Sequence, residues 1–287
     1  MIHSESKILD SLLPPEMALV AEDVGVSKAR MGFLKTMILG VLAGAFIAFG
    51  ALFATVVTSG STMSYGVTRL LAGISFSLGL ILVVVGGAEL FTGNNLLIMA
   101  WAGRKVTTLQ VIRNWIIVYA GNMFGAFSIV VMMFVSGHYL SGHGTVGASI
   151  LQIAKAKCEL GFFQAIILGI LCNILVCLAI WLCFSARSAH GKILAIIFPI
   201  TAFVAAGFEH SVANMYFIPI GITVKDWAAP ELWDFMQRSP GEFSSLTWAN
   251  FFLRNLIPVT IGNIIGGGVF VGLAYWFIYL RGQDPDK

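Results

Sequence analysis

The chain has 287 residues, of which 58% are hydrophobic and 11% charged, and its formal net charge is +3. Soluble globular domains carry about 25% charged residues, so this composition excludes a water-soluble fold and predicts a surface that faces lipid. The positive residues are scattered rather than clustered, which argues against nucleic-acid binding. The four cysteines form no Cys-x-x-Cys pair, so we expect buried thiols, with no metal site and no cofactor.

Residues 1–32 precede the first long apolar stretch and contain acidic residues and two adjacent prolines, Pro14 and Pro15. They lack the continuous apolar core of a signal peptide. The residues after the prolines have the pattern of an amphipathic helix. We therefore expect residues 1–32 to form an arm that lies along the cytoplasmic surface of the membrane.

Six apolar stretches follow, each long enough to cross a hydrocarbon layer about 30 Å thick as a helix of around 20 residues. They are Phe33–Thr58, Leu70–Trp101, Val111–Val135, Phe162–Phe184, Ile193–Ile222 and Leu246–Leu280. The ten-residue alternation of barrel strands is absent, so the predicted fold class is an all-α membrane protein of six transmembrane helices. This channel domain is predicted over 33–280, with a short cytoplasmic tail over 281–287.

Lysine and arginine residues are distributed unevenly between the two sides of the predicted bundle. Eleven of the 17 lie on the side of the chain termini, and six lie on the opposite side. Because cytoplasmic loops carry an excess of Lys and Arg, both termini are predicted to be cytoplasmic.

The third and sixth spans resemble each other. Residues 114–125 and 255–266 are identical at six of twelve positions, and residues 40–44 resemble 169–173 more weakly. Chance similarity between apolar segments is the alternative explanation. Because each half contains three spans, an odd number, a true repeat must be inverted, as in many transporters. The two repeats are predicted over 33–136 and 159–280.

The second and fifth spans are interrupted by small and polar residues. The interruptions run from Gly86 to Asn95 and from Gly207 to Asn214, and each contains a glutamate, Glu89 or Glu209. Ionisable residues within a span are costly unless they face a cavity or a partner. Two broken helices at matching positions therefore predict a pathway near the middle of the membrane, where free amide groups at the half-helix N-termini favour an anion.

At these residues the sequence resembles the formate/nitrite transporter family, and within it the formate channels. The resemblance rests on residues 89–92, 208–215 and 255–263 and extends over nearly the whole chain. It implies an aquaporin-like fold in the bacterial cytoplasmic (inner) membrane, a homopentamer with one pore per protomer, and transport of formate, nitrite or hydrosulfide rather than enzymatic activity. Selectivity among these anions stays open, as does the choice between a channel and a proton-coupled symporter.

His210 and Thr92 are the predicted centre of the pathway. An imidazole can change charge near neutral pH, because its unperturbed pKa is about 6.5. His210 could therefore bind an anion and transiently protonate it, and a purely structural histidine is the alternative. The hydroxyl group of Thr92 could orient His210 or the substrate, although threonine hydroxyls often only satisfy nearby backbone.

Two further residues are candidates for substrate contact. The resemblance places Lys157 in the outer vestibule, where it would attract anions, and a lysine snorkelling to the membrane interface is the alternative. Lys155 lies nearby, but the resemblance favours Lys157. It also places Asn173 along the pore, where its amide could donate to an anion.

The resemblance further implies two apolar constrictions. The constrictions are formed by Phe76 and Phe203 outside His210 and by Leu80, Leu90 and Phe91 inside it, although single aromatic residues are often only core. From the residues themselves we predict that the breaks are held by Glu89, Glu209, Asn214, Asn122 and Asn263. Glu209 is expected to accept hydrogen bonds from the backbone, because a carboxylate would repel an anion in the pore. Apolar constrictions make a bare anion costly to pass, so a proton donor between them would be useful.

A membrane-embedded enzyme is the main alternative class of function. Cys172, Cys177 and Cys183 near His210 could mimic a Cys–His pair, but no third orienting group and no metal-ligand spacing accompanies them. A structural scaffold would not need a buried histidine within a broken helix. We therefore predict a transporter that acts on small anions.

Overall fold

The computed structural model describes residues 11–282, which are helical and contain no β-strand in that range. The helices are α1 (Pro14–Arg30), α2 (Phe33–Thr58), α3 (Tyr65–Gly86), α4 (Leu97–Ala102), α5 (Thr108–Val135), α6 (Thr145–Cys158), α7 (Phe162–Ser185), α8 (Ala189–Ala206), α9 (Ser211–Trp227) and α10 (Pro230–Met236), followed by a final helix over 248–279. A 3₁₀ turn over Gly93–Leu96 leads into α4.

Within the described residues, six helices are long and apolar enough to cross a membrane. The first span coincides with the predicted Phe33–Thr58. The predicted second span is α3 and α4 with a break between them, and the fifth is α8 and α9 with a break between them. The prediction of an all-α fold with two broken spans is therefore confirmed.

Helix α1 is docked on the bundle through small side chains. Pro14 begins the helix, where its missing N–H costs no hydrogen bond. Its residues Met17, Ala18 and Ala21 are buried against the ends of α4 and α7. Just before α1, the backbone N–H of Leu12 donates to the carbonyl of Ser185 over 3.3 Å. Part of the predicted arm therefore packs on helices, and residues 1–10 lie outside the described range.

The fold contains one helix that the sequence pattern did not indicate. Helix α6 lies between the third and fourth spans and has Lys155 and Lys157 in its last turn. It packs against α9 as α1 packs against α4. Its buried residues include Gly147 and Ala154, whose small side chains allow close packing.

Glycines bring the spans of each half together in the same way. A Cβ atom at Gly40 would lie 3.2 Å from the Cα of Gly121, and one at Gly169 would lie 3.2 Å from the Cα of Gly262. Gly40 and Gly169 are 129 residues apart, and Gly121 and Gly262 are 141 apart. The repeat suggested by the sequence is therefore present in the packing of α2 on α5 and of α7 on the final helix.

The two halves meet where a residue contacts its own counterpart. The hydroxyl groups of Tyr119 and Thr260 lie 2.8 Å apart, and these residues are separated by the same 141 positions as Gly121 and Gly262. A residue that touches its symmetry mate lies on the two-fold axis. The pseudo-two-fold axis of the inverted repeat therefore passes between these two side chains.

Candidate transport site

Both broken spans stop at a glycine with a left-handed backbone. Gly87 follows α3 with φ of +82°, and Gly207 follows α8 with φ of +78°. This conformation is accessible to glycine without a steric cost and is common after the last turn of a helix. At the second break the guanidinium group of Arg69 also donates to the carbonyls of Val204 and Ala205 in the last turn of α8.

A fully buried asparagine holds the first break in place. The side-chain amide of Asn122 donates to the carbonyls of Gly40 and Glu89, over 2.8 and 2.9 Å. Its oxygen accepts the backbone N–H of Phe91 over 2.9 Å. The chain beyond α3 therefore obtains the hydrogen bonds that a continuous helix would have supplied.

A second buried asparagine does the same in the other half. The amide of Asn263 donates to the carbonyls of Gly169 and Glu209, over 2.8 and 3.0 Å. Its oxygen accepts the backbone N–H of Ser211 over 2.9 Å. Each of these partners is the repeat counterpart of a partner of Asn122, so the two breaks are held by the same hydrogen bonds.

A buried glutamate follows each glycine and pairs with a lysine. Glu89 lies 3.0 Å from the ammonium group of Lys28 at the end of α1. Its other oxygen accepts the amide of Asn94 over 2.7 Å, and that same amide also donates to Asn114. The side-chain amide of Asn114 in turn donates a hydrogen bond to the backbone carbonyl of Lys28 over 3.1 Å.

In the second half, Glu209 lies 2.7 Å from the ammonium group of Lys157 at the end of α6. Its other oxygen accepts from the amides of Asn214 and Asn255, over 2.7 and 3.0 Å. Asn255 also donates to the carbonyl of Lys157 over 3.0 Å. We expected Glu209 to accept from the backbone, but its carboxylate bonds to side chains.

These networks extend the inverted repeat beyond the predicted boundaries at 33 and 159. Lys28 and Lys157 occupy equivalent places, and each lies 12 residues before the packing glycine of its half, Gly40 or Gly169. Helices α1 and α6 are therefore equivalent parts of the two halves. Lys28 was missing from our predictions, and this constant spacing was the signal that could have found it.

His210 and Thr92 meet between the two breaks. The Nε2 atom of His210 lies 2.9 Å from the hydroxyl oxygen of Thr92, and both side chains are buried. The Nδ1 atom of His210 accepts the backbone N–H of Ala213 over 3.1 Å and so caps α9. A nitrogen that accepts carries no proton in the neutral ring, so the proton resides on Nε2. His210 therefore donates to Thr92, whose own hydrogen is left for another acceptor.

Two open vestibules lead toward this pair from opposite ends of the bundle. The first vestibule is a cavity of about 460 Å³ on the side of α1, and Lys28, Glu89 and Leu90 help to line it. The second vestibule is a cavity of about 840 Å³, lined in part by Lys157 and by His210 itself. Each has a lysine–glutamate ion pair in its wall, so a lysine whose charge is balanced by a carboxylate stands at each entrance.

Comparison with known proteins gives the same picture over the whole length. The family model described as "Formate/nitrite transporter" matches residues 15–277. This chain belongs to the formate/nitrite transporter family. It is 49% identical to "Formate channel FocA" of Escherichia coli (strain K12) over 276 residues, which cover 96% of this chain and 97% of that protein. It is 41% identical to the protein of the same name from Haemophilus influenzae, over 94% and 96% of the two chains.

Solved structures of the family are similar as well. A structure titled "Pentameric formate channel with formate bound" superposes with a TM-score of 0.83 at 44% identity, and it covers 87% of this chain and 98% of that one. An "FNT family ion channel" superposes with a TM-score of 0.77 at 27% identity, over 92% and 98% of the two chains. The relatives are thus named as channels rather than enzymes.

In this family member, the five residues predicted to form constrictions are all buried. The rings of Phe76 and Phe203 are 5.7 Å apart and line the second vestibule together with His210, and the ring of Phe203 lies 6.0 Å from that of His210. On the other side, Leu90 lines the first vestibule and Phe91 packs against Tyr119. Leu80 is buried and lines neither vestibule.

Asn173 lies behind the pair rather than in a vestibule. Its amide is within hydrogen-bonding distance of the carbonyls of Thr92 and Asn263 and of the side chain of Asn95. An amide has two hydrogens, so none is left for a substrate. A role for Asn173 in binding an anion stays a prediction, and the contacts indicate that it positions Thr92. The four cysteines are unpaired and buried.

Proposed function

We propose that this protein is a channel for formate and similar small monovalent anions, assembled as a homopentamer with one pathway in each protomer. Family membership and the names of its relatives support the substrate and the assembly. The observation that carries the proposal is the hydrogen-bonded pair of His210 and Thr92 between two vestibules with basic residues in their walls.

The route follows from the chemistry along it. An anion reaches a vestibule, where Lys28 or Lys157 favours its approach although a carboxylate shares each positive charge. Within the vestibule it meets Phe76 and Phe203 on one side or Leu90 on the other, where losing water is costly. At the centre, the Thr92 oxygen accepts the Nε2–H of His210, and the remaining hydroxyl hydrogen of Thr92 replaces one of the lost hydrogen bonds.

The hydrogen bond from Ala213 favours hydrogen-bond donation by a neutral His210 over transfer of a proton. A ring protonated on both nitrogens would place an N–H of His210 against the N–H of Ala213 and would lose the cap of α9. Proton-coupled symport of formate therefore requires the first turn of α9 to rearrange. Nitrite and hydrosulfide are the alternative substrates, because each is a small monovalent anion that can accept the same hydroxyl hydrogen.

The chain is a multi-pass membrane protein, and we place it in the bacterial cytoplasmic membrane with both termini in the cytoplasm. The excess of Lys and Arg on the side of the termini supports this orientation. In that orientation the first vestibule opens to the cytoplasm and the second to the periplasm.

Flux through purified protein in proteoliposomes tests the proposal. We expect labelled formate to enter faster than into protein-free liposomes, and nitrite and hydrosulfide to compete. His210→Asn keeps an N-cap for α9 but removes Nε2–H, so formate flux should fall about tenfold or more without loss of the pentamer. A flux unchanged by His210→Asn between about pH 5 and pH 8 would remove His210 from the pathway, and a fixed proton-to-formate ratio would replace the channel with a symporter.

A further inference from the structure

The two vestibules differ in the positive charges that have no partner. The cations that line the first are Lys28, Lys35 and Lys192, and those that line the second are Arg69 and Lys157. Lys28 and Lys157 are paired with glutamates, and Arg69 caps α8. Within residues 11–282, the ammonium groups of Lys35 and Lys192 have no ion pair and no hydrogen bond. The first vestibule thus holds two uncompensated charges.

The inverted repeat shows what the second vestibule has at the same places. Helices α2 and α7 correspond with an offset of 129, so the counterpart of Lys35 is Gln164, whose side chain accepts the N–H of Gly161. Helices α3 and α8 correspond with an offset of 120, so the counterpart of Lys192 is Ala72. Ala72 lines the second vestibule as Lys192 lines the first. Both charges are therefore additions to one half of a shared frame.

We propose that Lys35 and Lys192 form an anion-capture site at the mouth of the first vestibule, which takes small monovalent carboxylates and oxyanions before they enter the pore. The inference rests on the proposed function. Unpaired charges of one sign in a concave, partly apolar site raise the local concentration of the opposite ion. The cavity of about 460 Å³ is much larger than one formate, so the site concentrates anions instead of fitting one tightly.

A capture site on one side cannot make a passive channel one-way. At equilibrium the fluxes in the two directions are equal, so the permeability at low concentration is the same from both sides. The two directions differ instead in the formate concentration at which the flux saturates. Anions that arrive from the first-vestibule side occupy the capture site before they cross. The half-saturating concentration is therefore expected to be lower from that side. A divalent anion such as sulfate should bind between the two lysines and inhibit from that side alone.

Right-side-out and inside-out membrane vesicles, with the membrane potential clamped at zero, present the two vestibules separately. In wild type we expect half-saturation by formate at a concentration roughly threefold or more lower in inside-out vesicles, and inhibition by sulfate only there. The double variant Lys35→Gln/Lys192→Gln should remove both differences. High salt should remove them too, because the screening length is about 10 Å at 0.1 M and about 3 Å at 1 M.

Two single variants make the test specific. Arg187→Gln removes an exposed charge on the same side that does not line the vestibule, and it should leave both differences in place. Ala72→Lys adds a charge at a position that lines the second vestibule and should lower the half-saturating concentration in right-side-out vesicles.

The capture site is overturned if the double variant leaves the sidedness unchanged, or if Arg187→Gln abolishes it equally. The same differences with the vesicle types exchanged would support the site and overturn the orientation. No formate uptake by wild-type vesicles above those lacking the protein would instead overturn the proposed function.

Discussion

The two halves of this protein share a frame and differ in what that frame carries. Each has a buried asparagine that bridges a helix break, and a glutamate paired with a lysine. At the centre, however, Leu90 stands where the other half has His210, and Val212 stands where the first half has Thr92. The repeated residues are those whose hydrogen bonds hold the breaks, and the unrepeated ones are those free to meet a solute. Symmetry therefore separates structural from functional positions.

The largest effect is expected when the asparagine that bridges a helix break is removed from either half. Asn122→Ala and Asn263→Ala each leave two buried backbone groups without a partner, the carbonyl of the glutamate and the N–H two residues later, at about 1–3 kcal/mol apiece. We expect each to lower the free energy of unfolding by about 3 kcal/mol or more, measured by thermal unfolding in detergent. Ser128→Ala, which removes a bond within α5, should cost much less. If one asparagine variant lost less than half as much unfolding free energy as the other, the two breaks would not be equivalent.

The next effect tests whether the two ion pairs are equally important. Glu209→Gln and Glu89→Gln each leave a lysine without its counter-charge, and breaking a buried pair costs about 3–5 kcal/mol. The side chain of Lys157 is 15% exposed and that of Lys28 is 26% exposed, so water compensates Lys28 better. We expect Glu209→Gln to lower the unfolding temperature more than Glu89→Gln does. The double variant Glu209→Gln/Lys157→Met should recover much of the loss, and no recovery would show that charge is not the cause.

A smaller effect concerns the unrepeated centre. Thr92→Val gives the first half the residue that the second half has at position 212, and it removes the hydroxyl that His210 contacts. Loss of one hydrogen bond of about 1 kcal/mol should lower formate flux about fivefold, and it should lower the unfolding temperature less than Glu89→Gln does, because a single buried donor loses its partner. Thr92→Ser keeps the hydroxyl and should stay close to wild type. Equal flux in the two variants would show that the hydroxyl does not act on the solute.

The smallest effect concerns a contact that only the first half has. Lys105 pairs with the buried Glu22 of α1, and this hydrogen bond raises the pKa of Lys105 above its ordinary 10.5. The stabilisation is therefore complete below pH 10.5 and is lost as the pH rises through the higher pKa of the folded protein. Because Lys105 is 46% exposed, we expect Lys105→Met to cost less than about 1 kcal/mol. Limited proteolysis of α1 at pH 7.5 and pH 11 should differ for wild type and much less for Lys105→Met.

The sequence predicted well those features that hydropathy and repeated motifs encode. The span Phe33–Thr58 and the two breaks follow from apolar length and from polar residues within it. Helix α6 was missed because its 14 residues are short and only moderately apolar, so no pattern distinguished it from a loop. The sequence did not reveal that His210 caps α9, because this side chain serves both as an N-cap and as a residue of the predicted pathway. Residue type alone does not show which ring nitrogen meets which backbone group, so such a double role is visible only in the folded structure.

Tyr119 and Thr260 meet on the axis that relates the two halves. In a dimer of separate, identical subunits, a residue on the axis must face its own copy. Two tyrosines would then have to fit into the space that one tyrosine and one threonine now occupy. Joining the subunits into one polypeptide after gene duplication removes that restriction, because each copy can mutate by itself. The same evolutionary freedom accounts for a histidine in one break and a leucine in the other.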